Sequence, residues 1–295
     1  MRTRDIAGPM LALLLSALVP CHAASTGRLP AWVCGQGVPP LFVDGFEAGG
    51  VIYREPSGGS GGTFPGAVTR IVVVDGTVRS YHLHVPPGYP FAEPVPLLLA
   101  LHGGAGPGMA NTASQAVRDA WAATANAGKF IVAAPVASGS GGGWVPGTDY
   151  AVMQAVLADV AAHYDIDTSR VHGWGFSAGG HVWHDLALRQ RETVPDIRDF
   201  AAYAVSAGAL LAHACASPAD CSTLLAQAQR RIPVNLRAGS SDPLLPHVQA
   251  DHARFQAAGW GAAAALPVFS GGHEILPAQL SATWNFLCRF QRLPG

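Results

Sequence analysis

A chain of 295 residues with 49% apolar side chains, 13% charged ones and a mean hydropathy of +0.23 has the apolar content for a sizeable core, which excludes disorder along its whole length. A formal charge of -1 and an isoelectric point near 6.9, with no concentrated basic stripe, argue against a nucleic acid or an anionic membrane as partner and point to an uncharged or weakly charged one.

In chain order, Arg2 and Arg4 precede an apolar run from Met10 to Val19, and Cys21-His22-Ala23 offers a cleavage site, so residues 1–23 read as a secretory signal peptide. The run is well short of the ~20 residues of a spanning helix, and no other long apolar segment is free of breaks. Leu18-Val19-Pro20-Cys21 has a faint likeness to a lipoprotein box, but Pro20 before the cysteine argues against lipid attachment. Residues 24–66 form a Gly/Pro-rich extension. Within it Ser57-Gly58-Gly59-Ser60-Gly61-Gly62 reads as a flexible connector, and Leu41 to Glu47 as a short segment able to pair as an edge strand.

From residue 67 to the end the pattern is that of one α/β domain. Arg70–Val74 and Ser80–Val85 alternate like a hairpin around Asp75-Gly76, and Pro96–Leu101 is a continuous apolar strand of the kind buried on both faces. Helices are expected at Ala110–Ala127, Tyr150–Tyr164, Ala178–Arg191, Cys221–Ala228, His247–Ala258 and Pro277–Arg289. Between them fall strands at Phe130–Ala134, Arg170–Trp174, Phe200–Ser206, Pro233–Ala238 and Ala263–Phe269. Such alternation predicts a doubly wound, mostly parallel sheet with helices on both faces.

If the leader is removed, Cys34, Cys215, Cys221 and Cys288 remain, an even set suited to an oxidising compartment. The short separation of Cys215 and Cys221 favours a local bridge, leaving Cys34 to tie the N-terminal segment to Cys288; buried thiols are the alternative. No Cys-x-x-Cys pair occurs, which disfavours zinc.

The chemistry is concentrated at Gly175-Phe176-Ser177-Ala178-Gly179, between a strand and a helix. A serine forced onto so sharp a turn needs glycines two positions either side, and its hydroxyl is held at a helix N-terminus, where unpaired N–H groups favour developing negative charge. The loop after the strand ending at Leu101, His102-Gly103-Gly104-Ala105-Gly106, offers a second site of backbone donors. The N–H groups of Gly104 and Ala178 are the expected oxyanion hole, with His102 and Gly103 shaping it. A phosphate-cradling role for this loop is disfavoured, since no Gly-x-x-x-x-Gly-Lys pattern occurs. Asp242, on the loop beyond Pro233–Ala238, fits a triad acid, and His273, in Ser270-Gly271-Gly272-His273-Glu274, fits the general base; the order Ser, acid, His is the one this turn motif demands. Trp144, Trp174 and Phe176 are candidate walls of a substrate pocket, with core packing as the alternative for each. His181 and His184 could share a helical face for a metal, but no third ligand is evident and helix packing is the better reading.

These motifs in order resemble the α/β-hydrolase esterases of the polyhydroxybutyrate depolymerase, feruloyl esterase and acetylxylan esterase group, over about residues 67–290. Gly142-Gly143-Trp144 with Asp149, Tyr164 to Val171, Phe200 to Gly208 and Asn235 to Asp242 carry the likeness beside the serine motif. The resemblance implies an esterase working through an acyl-enzyme on Ser177, without metal or organic cofactor, on a small or polymeric ester. Two departures stand out: Gly104 replaces a frequent cysteine, and Glu274-Ile275 follows the histidine where an aromatic is frequent one residue further on. A particular polymer or feruloyl substrate therefore does not follow. A serine peptidase of the same fold, or a binding protein on an inactive scaffold, are the rival functions.

Overall fold

A computed structural model describes residues 41–42, 53–189, 194–229, 231–262 and 265–292. The expected leader, the Cys21 site, Cys34 and most of the N-terminal extension lie outside these residues.

Eight strands form one sheet: β2 (Gly66–Val74), β3 (Thr77–Val85), β4 (Val95–Leu101), β5 (Ile131–Pro135), β6 (Ile166–Phe176), β7 (Ala202–Ser206), β8 (Val234–Gly239) and β9 (Val268–Phe269). Their order is β2-β3-β5-β4-β6-β7-β8-β9. Only the β2–β3 and β3–β5 pairs are antiparallel; from β5 onwards every pairing is parallel. β1 (Leu41–Phe42), within the extension, pairs in parallel with the C-terminal strand β10 (Phe290–Gln291).

Parallel strands require crossovers, and helices α1 (Ala110–Gly128), α2 (Pro146–His163), α3 (Ala178–Leu188), α4 (Pro218–Gln227) and α5 (Leu245–Ala257) supply them, while α6 (Pro277–Leu287) follows the last strand of the sheet. The sheet divides the core in two. On one face Val117, Trp121 and Ala125 of α1 and Leu280 and Trp284 of α6 pack on Leu98, Val132, Trp174 and Ala204. Helices α2 to α5 cover the other face over Leu97, Leu99, Val171, Tyr203 and Leu236. Strands covered on both sides carry unbroken apolar runs, and β4 and β5 are buried at every position.

Several boundaries move for local reasons. The second helix starts at Pro146 rather than Tyr150 and the fourth at Pro218 rather than Cys221, because proline fits the first turn, where no N–H is needed; Ser217 caps the latter by accepting the Asp220 N–H. Of the described part of the expected Ala263–Phe269 strand, residues 265–269, only Val268–Phe269 is strand, and the start of Phe200–Ser206 is preceded by a 3-10 turn at Ile197–Asp199. Among the described residues Cys215 and Cys221 form a disulfide, as expected. No helix among the described residues is long and apolar enough to cross a membrane.

The Ser57–Gly62 segment is not the flexible connector its composition suggested. It is bound along the C-terminal end of α2 and the start of β6: Ser57 N–H donates to Ile166 O at 2.9 Å, Ser60 N–H to Ala162 O at 3.2 Å and Gly62 N–H to His163 O at 2.9 Å. The last carbonyls of a helix lack intrahelical donors, and this strap supplies them. The glycines serve close approach, since a Cβ at Gly59 would lie 2.2 Å from Ala161 O.

Candidate active site

Ser177 stands between the end of β6 and the start of α3 with φ 50° and ψ -117°, a backbone state that non-glycine residues rarely hold. The surroundings enforce it. Ser177 N–H donates to Ser206 O at 2.9 Å and His181 N–H to Ser177 O at 3.1 Å. A Cβ at Gly179 would sit 2.4 Å from Leu101 O, and one at Gly175 would sit 2.4 Å from Gly179 C. The two glycines therefore let α3 begin directly against β4 and β6.

Asp242 lies three residues beyond β8 with its side chain fully buried, where Oδ1 accepts the Leu244 N–H at 2.8 Å. His273 lies between β9 and α6, its side chain 33% exposed. The His273 Nδ1 is 3.0 Å from Asp242 Oδ2 and its Nε2 is 2.9 Å from Ser177 Oγ. A carboxylate only accepts, so the proton belongs on Nδ1, which leaves Nε2 to accept from the serine hydroxyl. Three residues from distant parts of the sequence thus form one continuous hydrogen-bonded chain. The loops that carry the acid and the imidazole are joined by backbone bonds, Ser240 N–H to Phe269 O and Ser241 N–H to Gly271 O.

The glycine-rich loop after β4 lies against the serine. A Cβ at Gly103 would be 3.3 Å from the Ser177 Cβ, whereas space around Gly104 is open. Ala178 opens α3, where first-turn N–H groups have no intrahelical acceptor. His102 is buried in the same loop: its Nε2 accepts the Ala137 N–H at 3.2 Å, which puts the ring proton on Nδ1, donated to Gly103 O at 2.6 Å. Burial pushes its pKa below the ordinary imidazole value, against a smaller opposing effect of the Gly103 carbonyl, so the ring is a neutral strut.

Phe176 packs its ring on His273 at a centroid distance of 4.8 Å. Trp144 lies over His102 and donates its indole N–H to His102 O at 2.7 Å. The expectation for Trp174 is corrected: it is fully buried in the α1/α6 core, edge-on to Trp121, with its N–H aimed at Ser206 Oγ. An inward residue of a central strand is enclosed by the helix crossing it, so this indole supports the turn from behind. His181 and His184 do not converge. His184 is buried between Tyr203 and Phe255, and burial takes its pKa down to about 3; His181, also lowered by burial to about 4, contacts the backbone of Ala209 and the His213 ring.

Against solved structures the chain is similar to a ferulic acid esterase (19% identity, TM-score 0.59, covering 77% of this chain and 99% of that one). It is also similar to an S-formylglutathione hydrolase from Agrobacterium tumefaciens (16%, 0.54, 77% and 94%) and to the fluorophosphonate-binding serine hydrolase F of Staphylococcus aureus (14%, 0.54, 77% and 96%). The chain has the α/β-hydrolase fold. No protein-family model and no curated protein matches the sequence. One residue that pattern reading did not single out also lies beside His181: the exposed His213, beyond β7, meets the His181 ring edge-on at a centroid distance of 6.0 Å, and no periodicity or motif marks it.

Proposed function

We propose that this protein is a serine hydrolase of carboxylic esters, exported from the cytoplasm by residues 1–23. The observation that carries the reading is the Ser177–His273–Asp242 chain, with both of its hydrogen bonds at 2.9–3.0 Å, set on a strained turn at a helix N-terminus. In the reaction Ser177 Oγ attacks the ester carbonyl while its proton passes to His273 Nε2, and the carbonyl oxygen becomes an anion held by the Gly104 and Ala178 N–H groups. The intermediate collapses, the alcohol leaves with the proton from His273, and an acyl-serine remains. Water, deprotonated by His273, then attacks the acyl group, releasing the acid and restoring Ser177. Asp242 keeps the imidazole in the required tautomer and balances its transient charge. The disulfide suits an oxidising compartment.

The test is turnover of p-nitrophenyl acetate, butyrate and octanoate, with methyl ferulate added because a ferulic acid esterase shares the fold, beside labelling with a fluorophosphonate. Serine-dependent turnover and a single label, both lost in Ser177→Ala, support the reading. Turnover unchanged in Ser177→Ala refutes it.

A further inference from the structure

The glycine-rich loop that carries Gly104 is short and rich in flexible residues, so something outside it must hold its N–H groups toward the serine. That support is the segment 137–145. It meets the glycine-rich loop at three points: Ala137 N–H on His102 Nε2, Gly142 O receiving the Ala105 N–H at 3.0 Å, and the Trp144 indole on His102 O at 2.7 Å. The backbones touch, since a Cβ at Gly142 would be 2.0 Å from Gly106 O.

The segment has no regular structure of its own. Internally it is closed by Gly142 N–H to Gly139 O and Gly139 N–H to Gly143 O. Its two ends are fixed by one buried side chain, Asp149, in the first turn of α2. One Asp149 oxygen accepts the Val145 N–H at 2.7 Å, and the two oxygens share the Ser138 N–H at 3.1 and 3.3 Å. A fully buried carboxylate receiving backbone donors from both ends of a loop defines that loop's shape, and the shape then passes through Trp144 and Gly142 to the loop beside Ser177. Burial raises the Asp149 pKa and these donors oppose the rise, so the donors favour the ionised group.

Resting on the esterase reading above, we infer that Asp149 and Trp144 are positioning residues for the reaction: they hold the 137–145 segment so that the Gly104 N–H faces the developing oxyanion. Neither touches the reacting atoms. Asp149→Asn keeps the side chain's size but turns an NH2 toward backbone N–H groups, which opens one end of the segment. Trp144→Phe keeps an aromatic ring but removes the donor to His102 O together with part of the indole's packing surface.

The experiment counts active sites by fluorophosphonate titration and measures kcat per titrated site, KM, and the affinity of an alkyl trifluoromethyl ketone, whose serine adduct carries an oxyanion. Losing one oxyanion donor outright lowers turnover roughly 100- to 1000-fold, so displacing it should lower kcat roughly 10- to 100-fold in Asp149→Asn, and by less in Trp144→Phe. KM should stay within about twofold, and ketone affinity should fall in step with kcat/KM, since only the transition state uses this donor. Should Asp149→Asn not fold, Trp144→Phe carries the same expectation alone. A fall in titratable sites with wild-type kcat at each remaining site would reduce these residues to a structural role and overturn the inference. A wild-type protein that neither turns over esters nor takes the label would instead refute the esterase reading.

Discussion

The backbone of Ser177 makes a prediction that separates strain from chemistry. At φ 50° and ψ -117° a residue with a Cβ is strained by about 1–3 kcal/mol, and glycine is not. Comparing Ser177→Gly with Ser177→Ala cancels the lost hydroxyl and its bond to His273, because both variants lack them. Glycine has the larger unfolded-state entropy, which subtracts about 0.4–1 kcal/mol. The difference therefore runs from about 0 to 2.6 kcal/mol in favour of the Gly variant, centred near about 1.3 kcal/mol, the reverse of the order at an ordinary helical position, where glycine is the worse by about 0.5–1 kcal/mol. For a domain of this size the central value corresponds to roughly 3–5 °C in Tm. Thermal and urea unfolding of the two inactive proteins, read by near-UV circular dichroism, measures the difference. An Ala variant more stable than the Gly variant by the entropy difference alone, about 0.4–1 kcal/mol, would show that the turn stores no strain.

Other outcomes follow from the same geometry. Gly179→Ala forces a Cβ to 2.4 Å from Leu101 O and 2.7 Å from His102 O, both backbone atoms, so it should destabilise by roughly 3 kcal/mol or more by overpacking and abolish fluorophosphonate labelling; a wild-type melting curve would contradict the packing described. Acid should weaken the fold through its buried imidazoles. His184 has its pKa taken by burial to about 3, so the unfolded chain binds a proton below about 6.5 that the folded chain refuses, and stability falls as pH drops from 6.5 toward 3. At pH 4.5 that is about 2.5 kcal/mol for this residue. His172, lowered well below its ordinary value by burial and by Arg170, adds in the same direction, while Asp251, raised by burial, opposes it. Urea unfolding at pH 7 and 4.5 reads the sum, and His184→Asn should flatten the dependence; an unchanged slope in that variant would contradict the assignment. Removing the Cys215–Cys221 bridge by a double serine substitution should lower stability by about 2 kcal/mol, the chain-entropy value for so short a loop, with reducing agent producing the same shift in the native protein and none in the double variant.

The sequence by itself determined the sheet's parallel character, its two-sided burial and the three residues of the hydrogen-bonded chain. Those features are local: apolar runs such as Val95–Leu101 report burial on both faces, and a glycine-flanked serine between strand and helix reports a turn. Asp242 and His273 were legible because each follows an apolar strand in the required order. Tertiary packing decided what local pattern does not encode. Trp174 and Phe176 lie on the same side of one strand two residues apart, yet the layer of α1 and α6 side chains encloses the first and leaves the second against His273. Ser57–Gly62 has the composition of a linker, but glycine's missing side chain serves flexibility in solvent and close approach against a helix end equally well. Only the exposed carbonyls of α2 decide between the two. The joining of Asp149 to the loop beside the serine, through Trp144 and Gly142, likewise runs through backbone donors brought together in space, and such donors leave no trace in residue type.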